Sequence, residues 1–308
     1  MSGALETPVA FLLFNRPDTT ARVFAEIARA RPRTLLVVAD GPRPDRPGEA
    51  ERCAAVRTIV ERVDWPCDVR TNYSDRNLGC RARVSSGLDW VFEEVEEAIV
   101  LEDDCVPHPT FFRYCETLLE RYRGDQRVTC ISGADFQRRD GACAWSYYYS
   151  RFVHVWGWAT WRRAWRHYDV AMSGWPAARD AGLLESVWGE DRRAVAYWRA
   201  IFDAVHAGRV DTWDYQWVYT CWQQGGLTVL PCGNLVSNIG FGAEATHTTG
   251  ASPLAELPVR EMIFPLRAPP YMRADPFADH FTQHRIVSAD GVGTRLQRWV
   301  RRAMRGSE

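Results

Sequence analysis

Ala98-Ile99-Val100-Leu101-Glu102-Asp103-Asp104 is the stretch on which the fold turns. A short apolar run suits a strand buried on both faces. Three carboxylates follow it with no spacer. Like charges this close raise one another's pKa and cost free energy unless a cation shares their pocket. A hard divalent ion meets that need, because Mg²⁺ or Mn²⁺ takes one or two carboxylates and completes its shell with water and phosphate oxygens. Asp104 is the favoured ligand, with Glu102 and Asp103 turned toward a ribose or lying just behind the ligand. The competing reading is a solvated acidic turn that caps the following helix. A position directly after a buried strand favours the ion.

Outward from that stretch, the first half alternates strands and helices. Pro8 to Phe14, Thr34 to Ala39, Cys67 to Asn72 and Arg127 to Ser132 read as further strands. Helices are predicted from Asp18 to about Arg31, Gly48 to Val63, Gly79 to Glu97 and Pro109 to Tyr122, with Asp18 as a cap. This β-α-β order predicts an α/β fold with a mostly parallel sheet flanked by helices. Ligands of such sheets bind at the carboxyl ends of the strands. Asn15, Asp40, Arg76 and the acidic triplet all follow strand ends, so they are expected on one rim. The second half, from Trp145 to Trp222, is crowded with Trp and Tyr. Helices are predicted there over Ala159 to Arg166, Arg192 to His206 and Trp213 to Gln224, and a late strand over Leu227 to Leu230.

Composition excludes some classes. The 308 residues are 46% hydrophobic, enough for a real core. The net charge of -1 argues against a protein whose main task is coating nucleic acid. Every basic charge is Arg, which removes Lys as a Schiff-base former. Nine Cys at scattered spacings, without a zinc pattern, fit a reducing compartment. The N-terminus carries no signal-peptide pattern, and no apolar run reaches the ~18 residues of a spanning helix. A cytoplasmic protein is expected. Arg295 to Arg305 has apolar residues near helical spacing between arginines; it reads either as a basic amphipathic helix on the inner face of the membrane or as a solvated terminal helix.

Leu101-Glu102-Asp103-Asp104-Cys105-Val106-Pro107-His108-Pro109-Thr110-Phe111-Phe112-Arg113-Tyr114 resembles the acidic motif of GT-A glycosyltransferases. It is similar in particular to the N-acetylglucosaminyltransferase I family, where Glu-Asp-Asp is followed by a Pro, a Phe-Phe pair and an aromatic. More broadly, residues 8 to about 250 resemble bacterial GT-A proteins of polysaccharide gene clusters. The resemblance implies a GT-A (Rossmann-like) fold with an aromatic-rich acceptor half, and a hexosyl- or N-acetylhexosaminyl-transferase that needs Mn²⁺ or Mg²⁺. Its donor would be a nucleotide-sugar, UDP-linked by first expectation, and its acceptor a carbohydrate, lipid-linked or other hydroxyl.

Carried over by residue, the resemblance assigns Phe14, Asn15 and Arg16 to the nucleobase loop and Asp40 to the base or ribose. Arg76-Asn77-Leu78-Gly79 matches an Arg-Asn-x-Gly turn near the nucleotide. The residues read alone agree: Arg76 offers a bidentate fork to phosphate, and Gly79 opens a helix whose N-terminus favours anions. Trp213-Asp214-Tyr215-Gln216-Trp217 resembles the family's Trp-Asp-Asp-Trp stretch and implies Asp214 as the base of an inverting transfer. Tyr215 stands where the family has a second acid, so Asp211 is the alternative base. A helix cap is the other reading of Asp214. Ser237 to Gly242 followed by His247 resembles a late Gly-rich loop whose His binds diphosphate or metal. Trp156, Trp158 and Trp213 are read as walls for a sugar face or as core packing.

The expected organisation is a donor half over residues 1–135, an acceptor half of the same domain over 136–265, and a C-terminal extension over 266–308. The competing functions are nucleotidyl transfer, a non-catalytic carbohydrate- or protein-binding module on the same fold, and sugar transfer onto modified DNA bases.

Overall fold

β1 (Val9–Leu13) is buried at every residue, as its unbroken apolar run requires. Its side chains alternate: Val9, Phe11 and Leu13 join one core, while Ala10 and Leu12 join another on the opposite face. The computed structural model describes residues 4–137, 143–241 and 254–288. The chain continues through α1 (Pro17–Ala30), β2 (Thr34–Ala39), α2 (Glu49–Val60), β3 (Asp68–Tyr73), α3 (Cys80–Glu94) and β4 (Glu97–Glu102). β5 (Cys105–Pro107), α4 (Thr110–Tyr122) and β6 (Val128–Ser132) follow. The second half holds β7 (Tyr147–Ser150), β8 (Trp158–Trp161), α5 (Arg162–Trp165), α6 (Trp175–Asp180), α7 (Leu183–Trp188), α8 (Arg192–His206) and α9 (Asp214–Gln223). It ends in β9 (Leu227–Pro231), β10 (Val236–Asn238), α10 (Pro276–Phe281) and a π-helix over Thr282–Val287.

Eight strands form one sheet in the order β3-β2-β1-β4-β8-β6-β9-β7. β3, β2, β1 and β4 run parallel, and β6 and β9 share their direction. β8 is antiparallel to β4 and β6, and β7 is antiparallel to β9. Helices α1, α2 and α4 cover one face; α3, α8 and α9 supply the core of the other. The predicted α/β architecture is therefore the observed one. Strands from both halves of the chain share the sheet, and β5 pairs with β10 in a small antiparallel ribbon beneath the rim.

Several local expectations are corrected. Residues 159–161, predicted as helix, belong to β8, and only Arg162–Trp165 is helical. The reason is tertiary: β8 fills the gap between β4 and β6, all four of its residues are buried, and Thr160 Oγ1 donates to the Thr129 carbonyl at 2.6 Å. α1 begins at Pro17, with Arg16 rather than Asp18 at the cap position; Asp18 sits in the first turn, where it favours the helix dipole. α3 ends at Glu94 rather than Glu97, because Glu97 already pairs with Trp161. Strands β5, β7 and β10 have no signal in periodicity. Among the described residues no helix is long and apolar enough to cross a membrane. His247 and the basic stretch 295–305 lie outside the described residues.

Candidate active site at the carboxyl edge of the sheet

β1 and β4 are neighbours in register, with Leu12 opposite Glu102. The loops leaving them must therefore meet. Phe14, Asn15 and Arg16 leave β1, while Asp103 and Asp104 leave β4. Asp103 is 3% exposed and has two fixed partners: its Oδ2 accepts the Phe14 N–H at 3.1 Å, and its Oδ1 pairs with the Arg16 guanidinium. Arg16 Nη1 also reaches Asp104 Oδ2 at 3.0 Å. Burial pulls the Arg16 pKa down, but the two carboxylates outweigh it and hold the group above its ordinary value.

One arginine does not neutralise three acids. Burial, then Asp104 and Asp103, push the Glu102 carboxyl up to about 8, and burial pushes Asp103 up to about 6 against the pull of Arg16. Among the described residues no hydrogen bond reaches the Glu102 carboxylate. An acid in this condition is unfavourable when charged, and nearby positive charge relieves it. The donor set is all carboxylate oxygen, which suits Mg²⁺ or Mn²⁺ and not a soft metal. The residues therefore fit such an ion, which would share Asp104 with Arg16.

The strand-to-loop passage after β10 closes over this cluster. The Asp104 carbonyl accepts the Ile239 N–H at 2.9 Å. Gly240 lies so near that a Cβ there would collide with the Asp104 carboxylate and with Arg16. The next residue, Phe241, stacks edge-on against Trp156 with ring centroids 5.6 Å apart. Trp156 thus stands beside the acidic cluster and is half-buried. Trp158 and Trp213 do not stand there. They are 0% and 3% exposed, stacked on each other at 5.7 Å, with Trp165 and Trp217 also packed on Trp158. Their indoles lie in the core, and neither face is free for a sugar.

Asp40 ends β2 and is 6% exposed. Its oxygens accept N–H groups from Gly41, Leu78 and Gly79 and the Asn77 amide, at 2.9–3.2 Å. Burial still raises its pKa against those bonds. Asp40 thereby fastens the Arg76–Gly79 turn to β2. The fit is close: a Cβ on Gly41 would stand 2.5 Å from the Arg76 backbone nitrogen. Gly79 holds φ +81, a conformation that favours glycine, and opens α3. Asp211 Oδ1 accepts the Arg81 N–H at 3.0 Å. The anions at this helix N-terminus are thus the protein's own Asp40 and Asp211. The Arg76 side chain is exposed.

Asp214 is the first residue of α9. Its Oδ1 accepts from the Thr212 hydroxyl and, at 2.9 Å, from the Tyr215 N–H. Cys80, the first residue of α3, marks where the halves meet. Its thiol is pushed well up by burial and then by the charges of Glu102, Asp214, Asp211 and Asp40, in that order. Four acids from three stretches of the chain thus converge around one side chain. Two residues with no sequence signal belong to the same rim. Glu49 is 0% exposed, accepts the Asn15 amide at 2.8 Å, and is held down to about 2 chiefly by Arg43. The Arg43 guanidinium lies 5.4 Å from the centre of the Phe14 ring. A charged residue buried in a helix's first turn is visible only once the β1 loop is seen packed on it.

No protein-family model matches the chain, and no curated protein matches it. Among solved structures it is similar to a mannosyltransferase from Pyrobaculum calidifontis in complex with GDP-Man and Mn²⁺. Identity is 15%, coverage is 72% of this chain and 70% of the other, and the TM-score is 0.40. It is also similar to a UDP-glucose pyrophosphorylase complexed with UDP-glucose, at 10% identity, 44% of this chain, 65% of the other and TM-score 0.26. Likeness this slight transfers no activity to this chain.

Proposed function

We propose that the chain is a metal-dependent glycosyltransferase that moves a sugar from a nucleotide-sugar to a hydroxyl acceptor with inversion, in polysaccharide or glycoconjugate assembly. The observation that carries the proposal is the partly neutralised trio Glu102, Asp103 and Asp104 at the end of a central strand, with Asp214 within electrostatic reach. In this reading the loop of Phe14, Asn15 and Arg16 holds the nucleobase side of the donor, a UDP-linked one first. Arg76, exposed on the same rim, meets phosphate. Asn77, Gly79 and Asp40 keep that turn in place.

Asp104 would hold Mn²⁺ or Mg²⁺, and the chemistry such an ion would supply is positive charge against a diphosphate leaving group. His247 is a second candidate ligand. Arg16 orients Asp103 and Asp104 through its two ion pairs. Asp214 accepts the proton of the acceptor hydroxyl through Oδ2, the oxygen not engaged with Thr212 and Tyr215. The acceptor oxygen, freed of that proton, bonds to the anomeric carbon as the bond from that carbon to the diphosphate breaks. Trp156 and Phe241 form the apolar wall beside the reacting sugar. Asp211, committed to α3, is the weaker candidate for the base.

A thermal-shift screen of UDP-, GDP- and dTDP-sugars, with and without Mn²⁺, tests the proposal. A true donor raises Tm by mass action, and the rise grows with Mn²⁺. Absence of any nucleotide-sugar shift in either condition rules the reading out.

A further inference from the structure

Far along the chain from the acidic rim, three side chains meet at the junction of α8 with the helix pair near the end of the described chain. Asp191 is the cap of α8, and its Oδ1 accepts the Ala194 N–H at 3.0 Å. That bond fixes the carboxylate and leaves Oδ2 to face His284 Nε2, 2.7 Å away. His280 lies one helical turn before His284, with ring centroids 4.4 Å apart. One ligand atom from each of the three lies within 4.8 Å of the others. The turn that carries His284 is wound as a π-helix, a rare geometry found disproportionately at functional sites.

We propose that Asp191, His280 and His284 form a metal site of their own, selective for a borderline divalent ion such as Zn²⁺. Imidazole suits Zn²⁺, whereas the all-carboxylate rim suits Mg²⁺ or Mn²⁺. Ligand atoms around a tetrahedral ion with bonds of ~2.0–2.1 Å stand ~3.3 Å apart, so modest rotation of the exposed His280 ring and the half-buried His284 ring closes the set. Two imidazoles and one carboxylate leave a coordination position for water. Asp191 is oriented by its helix-capping bond, much as a supporting partner orients a ligand elsewhere.

The ion would tie α10 and the π-helix to the start of α8. That segment is already fastened by Trp198 Nε1 donating to Gln283 Oε1 at 2.8 Å and by Gln137 Nε2 donating to Thr282 Oγ1 at 2.8 Å. Ile286, on the π-helix, clusters with Phe136, and Trp156 and Phe241 pack against the same cluster. Metal here would stiffen the support behind Trp156. The inference stands independently of the proposed transferase activity.

Isothermal titration of the chelator-stripped full chain with Zn²⁺ tests the site, with Co²⁺ absorption as a reporter of nitrogen ligation. One equivalent should bind, with an accompanying rise in Tm. His280→Ala and His284→Ala should each weaken binding by about 10-fold or more, since even the loss of a supporting residue costs that much. Asp104→Asn should leave it unchanged. No Zn²⁺ binding by the parent, or undiminished binding by His280→Ala, overturns the proposal; the latter would mean thiols bind the ion. His280 is exposed, so its variant tests the idea even if His284→Ala does not fold.

Discussion

Glu102→Gln should make this protein more stable, and only above mildly acid pH. Glutamine keeps the shape and removes a charge that no described hydrogen bond supports. The folded carboxyl is raised to about 8 from an ordinary 4.5. Between those values the native state holds a proton that the unfolded chain has released. Stability therefore falls as pH rises through that window, and the full penalty is present above about 8. At ~1.4 kcal/mol per pH unit the interval sets a ceiling of ~5 kcal/mol. Relaxation and water penetration around a buried charge reduce what is measurable to ~2 kcal/mol. For a chain of this size that is ~3 °C in Tm. The assay is thermal melting of both proteins in chelator at pH 5 and pH 8.5. The variant should match the parent at pH 5 and exceed it at pH 8.5. Added Mn²⁺ should then stabilise the parent more than the variant, because only the parent carries the charge. A Tm difference equal at both pH values, or a variant destabilised at pH 8.5, would refute the account of the acidic rim.

Asp214→Asn should lower kcat by ~10²–10⁴-fold while nucleotide-sugar affinity, measured by calorimetry, stays within twofold. Asp211→Ala should instead cost ~1 kcal/mol of stability in urea denaturation, through loss of the α3 cap, with kcat little changed. Arg16→Met leaves Asp103 buried without its charged partner and should destabilise by ~3 kcal/mol in the same assay. Trp158→Ala should cost ~3–5 kcal/mol because it empties the core, whereas Trp156→Ala should melt near the parent and raise the acceptor KM. Equal melting of the two tryptophan variants would contradict their different burial.

The resemblance to GT-A enzymes and the local chemistry point to the same rim, and the structure shows how its parts depend on each other. Arg16 is drawn as a nucleobase-loop residue from sequence, yet its guanidinium bridges the two aspartates after β4. Asp40 and Asp211, both read as candidates for direct contact with substrate or acceptor, instead accept N–H groups at the start of α3, Asp40 from Leu78 and Gly79 and Asp211 Oδ1 from Arg81. These roles have a shared physical origin. A carboxylate near unsatisfied helix N–H groups is satisfied by them first. Whether a given acid meets such a group depends on which loops the sheet order brings together.

Local sequence alone determined the strand and helix alternation, the buried central strands and the acidic step after β4, because periodicity and charge adjacency are properties of neighbouring residues. Only the tertiary structure decided that Trp158 is core while Trp156 is half-buried beside the rim, that β8 inserts antiparallel between β4 and β6, and that Asp211 caps a helix 130 residues away. Arg16 and Asp103 are 87 residues apart in the chain and in contact in the fold. Contacts of that span leave no mark on local pattern, since they are set by the order and direction in which strands pack.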